Sequence, residues 1–241
     1  MISADGIPER AGFFGVLLAL AACFVALGLW QIERRAWKHE LVAAVESRIH
    51  APAVPAPDPD AWRTINAEHD AYRRVTVTGR YVPGHETLVR GVSDLGAGYW
   101  VITPFDTGDF IVLINRGFIT PEQRRSSRRE PEGDLTVTGL LRMSEPGGGF
   151  LRDNDPKTDN WYSRDVAGIG AARGIVRSAP YFIDADAVPG GSNGPVGGLT
   201  VVRFADNHAA YALTWFAMAL LSAFAAWRIV PRNRFIRRAF A

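Results

Sequence analysis

Two stretches without a charged side chain, one near each end, most constrain what this chain can fold into. The first runs from Ala11 to Trp30; the second runs from Ala209 to Trp227, where Thr214 and Ser222 are the only small hydroxyls. A helix rises about 1.5 Å per residue, so each stretch covers about 30 Å, the thickness of a bilayer's hydrocarbon core. The alternative, a pair of buried helices in a soluble protein, fits runs of this length less well. We therefore expect two transmembrane helices. The 241 residues leave one domain of about 175 residues between them. The expected organisation is an N-terminal segment 1–10, a first span 11–32, an extramembrane domain 33–207, a second span 208–229 and a basic tail 230–241.

The first span is long for the apolar part of a signal peptide, usually about 7–15 residues. It runs into Trp30-Gln31-Ile32-Glu33-Arg34-Arg35 with no small-x-small cleavage site, so an uncleaved anchor is expected. Asp5 and Glu9 in Met1–Arg10 are unlike a mitochondrial transit peptide, and a bacterial inner membrane follows. Basic flanks favour the cytoplasm. Arg228, Arg232, Arg234, Arg237 and Arg238 follow the second span with no acid among them; Arg34, Arg35 and Lys38 after the first are mixed with Glu33 and Glu40. The larger cluster puts both termini in the cytoplasm and the central domain in the periplasm.

The lone cysteine, Cys23, lies inside the first span, so the domain has no disulfide framework or Cys-based metal site. Several of the arginines are membrane flanks, and the basic balance is no sign of nucleic acid.

Within the domain, Trp37, Leu41, Val45 and Ile49 continue the first helix at helical spacing, and the Pro- and Ala-rich stretch 51–59 ends it. Arg74–Val82 alternates, with Val75, Val77, Gly79 and Tyr81 on one face. Further strands are expected at 86–90, 99–105, 110–115, 135–142, 181–183 and 199–204. A turn is expected at Asp106-Thr107-Gly108-Asp109, another at Asn115-Arg116-Gly117, and a short helix capped by Asp165. The fold class is a membrane α-helical hairpin enclosing an α+β, mainly antiparallel β domain, closed into a small barrel.

Enzyme signatures are missing: there is no phosphate-binding Gly-rich loop, no Gly-x-Ser-x-Gly elbow and no pair of histidines at i, i+4. No nucleophile–base pair can be named, so we expect no catalytic residue. Three places stand out. At the exit of the first span, Trp30, Arg34 and Trp37 share a helical face. They read as an interfacial anchor or as a clamp for a flat anionic ligand. Gly98-Tyr99-Trp100-Val101-Ile102-Thr103-Pro104-Phe105 and Asn115-Arg116-Gly117-Phe118 read as aromatic core strands. At the start of the second span come Arg203, Asp206, Asn207, His208, Tyr211 and Trp215. Asp206 or Asn207 can cap the helix. His208 is either a hydrogen-bonded boundary residue or an axial ligand to haem iron.

These places carry a resemblance to the SURF1 (Surfeit locus protein 1, or Shy1) family. The pattern Gly-x-Trp-Gln-x-x-Arg-x-x-Trp-Lys is matched by Gly28, Trp30, Gln31, Arg34, Trp37 and Lys38. Gly-Tyr-x-Val/Ile-x-Thr-Pro-Phe is matched by Gly98 to Phe105. Asn-Arg-Gly-Trp is matched by Asn115, Arg116 and Gly117, with Phe118 at the Trp. Asn-His-x-x-Tyr-Ala-x-Thr-Trp-Phe is matched by Asn207, His208, Tyr211, Ala212, Thr214, Trp215 and Phe216. The resemblance implies a non-enzymatic assembly factor for cytochrome c oxidase, one that binds haem a and aids its delivery to subunit I. Oxidase subunit I, haem a synthase and the lipid bilayer are the implied partners, and nucleic acid is not one. The family's haem-associated histidine falls on His208. We place the cofactor at the periplasmic edge of the bilayer with His208 on iron. Tyr211, Trp215, Trp30 and Trp37 surround it, and Arg34 and Arg203 serve the propionates. The rivals are a cofactor-free scaffold for a nascent oxidase subunit and an unrelated periplasmic binding or sensor module. The spans are expected to pack through Gly15, Ala19 and Cys23 against Ala219 and Ser222, since small residues let helices approach.

Overall fold

The computed structural model describes residues 6–125, 131–149, 151–187, 194–199 and 206–229. In chain order its elements are helix α1 (Gly6–His50), strand β1 (Val54–Pro55), short helix α2 (Ala67–Asp70), and strands β2 (Arg74–Tyr81), β3 (Thr87–Ser93), β4 (Gly96–Asp106) and β5 (Ile111–Ile119). Then come a 3-10 turn (Gln123–Arg125), strand β6 (Leu135–Met143), a small hairpin of β7 (Gly148–Gly149) and β8 (Arg152–Asp153), helix α3 (Val166–Ala172), strand β9 (Ser178–Ala185) and helix α4 (His208–Ile229). The chain divides into two compact units: Met1–Ala43 with Arg203–Ala241, and Ala44–Val202.

The first unit is a pair of helices. Both α1 and α4 are long and apolar enough to cross a membrane. Their large apolar side chains point outward: Phe13, Val16 and Leu29 on α1, and Leu213, Leu220, Leu221 and Phe224 on α4, are exposed. A core helix of a soluble protein buries such side chains, whereas here they form an outward apolar surface, as on a helix suited to lipid. Sheltered residues on α1 include the row Phe14, Leu17, Ala21, Phe24, Gly28 and Gln31; those on α4 include the row His208, Ala212, Trp215, Ala219, Ser222 and Ala226. Both rows advance by alternating steps of about three and four, the seam of helices packed nearly in line. Phe24 stacks on Trp215 with ring centroids 5.7 Å apart. A Cβ on Gly28 would come within 2.6 Å of the Phe216 ring, so only glycine fits there. The packing face expected for α1 is corrected by this seam. Gly15, Ala19 and Cys23 are exposed, although Ala219 and Ser222 do face inward. Small residues recur on more than one face of α1, and the large side chains of Phe14 and Phe24 choose the seam.

The second unit is a closed sheet. Its strand order is β1-β2-β6-β9-β5-β4-β3, and β2 also pairs with β4. Closure runs through Arg80↔Asp106 and Tyr81↔Phe105, making a five-strand barrel of β2, β6, β9, β5 and β4. The interior holds Val75, Val77, Phe105, Val112, Ile114, Leu141, Tyr181 and Ile183, the inward residues of alternating strands. The segment after β1 packs on this cluster through Trp62, whose ring meets Phe110 edge-on at 5.6 Å. The Tyr181 hydroxyl donates to Pro57 O at 2.6 Å, and burial pushes its phenol well above the ordinary value. Outside the barrel, Trp161, Val166 and Ile169 pack on Val89, Ile102, Leu113 and Phe182. Helix α3 is held there by Asp165, which accepts from Gly168 N–H at 3.0 Å.

The sheet is mainly antiparallel, as expected, with two parallel pairings: β1 runs parallel to β2 and β5 parallel to β9. Strand β9 is reached through β6 and α3 rather than through a hairpin, and such distant pairings leave no local turn signal. A second correction concerns Asn115-Arg116-Gly117, which lies inside β5 rather than in a turn. Trp100 faces Phe118 while Ile102 faces Asn115, so Arg116 and Gly117 both oppose Val101 in a bulge. Gly117 has φ +131°, and a Cβ on it would collide with the Val196 backbone. Of the strand expected at 199–204, residues 200–204 lie outside the described residues.

Burial without a partner would be costly for Asp184, which is 4% exposed. It accepts from Asn115 Nδ2 at 2.7 Å and from Arg142 Nη1 at 2.7 Å, and Arg164 Nη1 approaches to 3.4 Å. Arg164 also forks onto Glu145, at 2.6 and 3.0 Å. Burial works against the Arg164 charge, but Glu145 and Asp184 outweigh it and hold the guanidinium protonated. This network ties β5, β6 and β9 together at the point where the parallel pairing ends, at Asn115 and Asp184.

Candidate functional site

The strongest polar cluster of the helix pair lies where α4 begins. Asp206 precedes the helix, and its Oδ1 accepts the His208 N–H at 3.1 Å, satisfying a donor that has no helical partner. Its Oδ2 takes two more bonds, from Arg35 Nε at 3.0 Å and from His39 Nε2 at 2.7 Å. The His39 hydrogen bond first, and then Arg35, hold the carboxyl well below the usual carboxylate range. One turn earlier on α1, Gln31 Oε1 lies 2.7 Å from His208 Nδ1. A carbonyl oxygen only accepts, so in the tautomer that makes this hydrogen bond Nδ1 is the donor and Nε2 is the other ring nitrogen, outside that bond.

Gln31, Arg35 and His39 are spaced four apart and form one line down α1, facing the start of α4. The sequence reading chose the neighbouring line. Trp30 is 54% exposed and Trp37 is 49% exposed, and Arg34 lies 3.9 Å above the Trp37 ring. Arg34 and Trp37 thus meet each other, and Trp30 stands separately toward the surroundings. Trp215 sits in the seam against Phe24. Tyr211 is exposed, one step off the inward row that holds His208 and Trp215. Arg203 lies outside the described residues. His39 and Arg35 were missed as site residues. The available signal was their spacing from Gln31, which puts all three on the His208 side of α1.

The other two motif segments build the barrel. Asn115 donates to Asp184 and accepts Gly117 N–H at 3.1 Å. Arg116 faces Glu86 at 3.8 Å and lies over the Tyr81 ring at 5.2 Å. Trp100 meets Phe118 edge-on at 5.0 Å, and a Cβ on Gly98 would come within 2.7 Å of the Phe118 ring. These residues hold the β4–β5 pairing, which leaves the mouth of the helix pair as the candidate site.

Comparison with known proteins agrees with this layout. The family model described as the SURF1 family matches residues 18–220, from the first span to the second. Surfeit locus protein 1 of Mus musculus is 33% identical over 244 residues, covering 92% of this chain and 75% of the relative. Surfeit locus protein 1 of Homo sapiens is 34% identical over 235 residues, covering 87% and 74%. A SURF1-like protein of Monosiga brevicollis is 33% identical over 244 residues, covering 92% and 88%. The chain belongs to the SURF1 family.

Proposed function

We propose that this protein is a membrane-anchored assembly factor for haem–copper cytochrome c oxidase, and that it carries haem a at the mouth of the helix pair for delivery to subunit I. The observation that supports the reading most is the state of His208. Its Nδ1 is engaged by Gln31, so Nε2 is the nitrogen offered to a ligand. Among the described residues no three His, Cys, Asp or Glu side chains converge on a metal site. A bare ion asks for several protein donors. Haem brings four nitrogens of its own and asks for one axial imidazole, which is the donor set found here. Gln31 holds the imidazole through Nδ1, and Asp206 caps the start of α4. Trp30 and Trp37 lie exposed on the neighbouring face of α1, within reach of an apolar ring, while Arg34 supplies a cation for a carboxylate. A single protein ligand suits cargo that has to be handed on.

In this reading the spans lie in a bacterial inner membrane and the barrel lies in the periplasm. The protein is a carrier without turnover, and haem a synthase is the natural donor of the cargo. The test compares full-length His208→Ala with His85→Ala, each purified from cells that make haem a, by absorption spectrum. His208→Ala should lose most of its haem while staying in the membrane, and His85→Ala should keep it. Equal haem in both variants and the parent would reject the ligand assignment. That outcome would favour the cofactor-free scaffold, for which the exposed face of Gly15, Ala19 and Cys23, unused by α4, is the observation in favour.

A further inference from the structure

Tyr162 is the centre of a surface strip on the barrel unit that the haem reading does not use. Arg90 and Val92 are alternate residues of β3 and share one face of it. The Arg90 guanidinium lies 5.6 Å from the Tyr99 ring and 5.8 Å from the Tyr162 ring. Arg152 of β8 lies over the same Tyr162 ring at 5.5 Å. The β7–β8 hairpin is close to this residue, since a Cβ on Gly149 would come within 3.3 Å of Tyr162 Cβ. Leu151 leads directly into β8. The strip therefore runs from Val92 through Arg90, Tyr162 and Arg152 to Leu151.

Its two ends are apolar and its two cations lack acids. Val92 is 76% exposed and Leu151 is 87% exposed. Leu151 also has φ +59°, a left-handed conformation that glycine or asparagine adopts far more readily. Neither burial nor backbone preference accounts for a leucine there. Arg90 and Arg152 are both exposed, and no carboxylate lies within ion-pairing distance of either among the described residues. Arg90 reaches only Asn160 Oδ1, at 3.4 Å. Asp159, in the same segment as Asn160, is taken by Arg173 at 2.7 Å. Arginines around a tyrosine, with an aliphatic side chain at each end, match the zone between headgroups and hydrocarbon. A single small anion would require both guanidinium groups to converge on it. A bilayer presents phosphates side by side and makes no such demand.

We infer that this strip docks the barrel onto an anionic phospholipid surface, with Arg90 and Arg152 on phosphates and Val92 and Leu151 at the edge of the hydrocarbon. The chain of the barrel unit, Ala44–Val202, continues at both ends into the helix unit, which keeps a bilayer within reach. The inference rests on the reading of α1 and α4 as spans and is independent of haem at His208.

The test places single nitroxide labels on the full chain in a Cys23→Ala background. The labelled variants are Val92→Cys, Leu151→Cys, Val176→Cys and Phe13→Cys, all at exposed positions. Each is reconstituted in nanodiscs of phosphatidylcholine, alone or with about one-third phosphatidylglycerol. Accessibility to a water-soluble nickel chelate is compared with accessibility to oxygen. Val176 is the control: the adjoining Arg177 O accepts Ile111 N–H, at the end of β5 remote from Ile119, which pairs with Tyr99. Phe13 reports whether α1 is in lipid. With phosphatidylglycerol, positions 92 and 151 should be shielded from nickel and position 176 should not. Arg90→Gln and Arg152→Gln should each shift the docked population about fivefold toward the free barrel. Labels at 92 and 151 as accessible as that at 176 would overturn the proposal. So would shielding that is unchanged when both arginines are replaced. A label at position 13 open to nickel would overturn the span reading and this inference with it.

Discussion

The helix pair and the barrel are built on opposite logics. In the helix pair the apolar side chains face out, and specificity comes from a few contacts: a glycine under a phenylalanine, one aromatic stack, and a polar line of Gln31, Arg35 and His39 meeting Asp206 and His208. In the barrel the apolar side chains face in, and a buried charge network fixes where β9 sits between β5 and β6. The four family motifs divide between the two, two at the helix mouth and two in the β4–β5 pairing. Matching motifs therefore do not mark one site. Half of them maintain architecture, and the other half meet at the mouth of the helix pair.

The comparison breaks most sharply at Asp184. Asp184→Ala leaves Arg142 and Arg164 without their buried carboxylate and should destabilise the barrel by about 3–5 kcal/mol. Thermal unfolding followed by near-ultraviolet circular dichroism measures this. Haem content at His208 in membranes prepared below the transition should not fall, and a parallel fall would mean that the two units are not independent. The converse change is Gly28→Leu, which overpacks the seam against Phe216 at about 1–3 kcal/mol. Disulfide yield between Phe24→Cys and Trp215→Cys, with Cys23→Ala in the background, should drop while barrel melting stays put. An unchanged yield would show that Gly28 does not set the helix spacing. The smallest effect is at Asp206. Its carboxyl is depressed by His39 and Arg35, so its contribution is fully present above the ordinary carboxylate pKa and is lost only as pH falls through the lower folded value. Carbon-13 shifts should show Asp206 still ionised at about pH 3, below the ordinary carboxylate value, and Arg35→Gln should move its titration upward. Titration of the parent in the ordinary range would remove the clamp.

Much of the helix pair was legible in the sequence because lipid imposes length and polarity on contiguous residues. The continuation of α1 past the apolar run, the Asp206 cap and the place of His208 all follow from local patterns. The packing face did not, because the spacing of small residues is ambiguous around a helix until the large neighbours are placed. The Arg35–His39–Asp206 clamp was missed because its partners are over 160 residues apart. In the barrel, the alternation of β2 and the Asp165 cap were readable. The parallel β5–β9 pairing and the Gly117 bulge were not, since register between distant strands is decided by burial on both sides.

Strand β9 has a consequence for the order in which the protein can be made. A chain emerging from the ribosome holds β1 to β6 before β9 exists, and in that state β5 and β6 are two bare edges of an open sheet. Such edges are templates for pairing with other chains, and closure has to wait for residues 178–185. Helix α4 starts at His208, so the sheet gains its keystone only shortly before the second anchor is synthesised. Nearly all of the barrel's sequence must remain unaggregated until then.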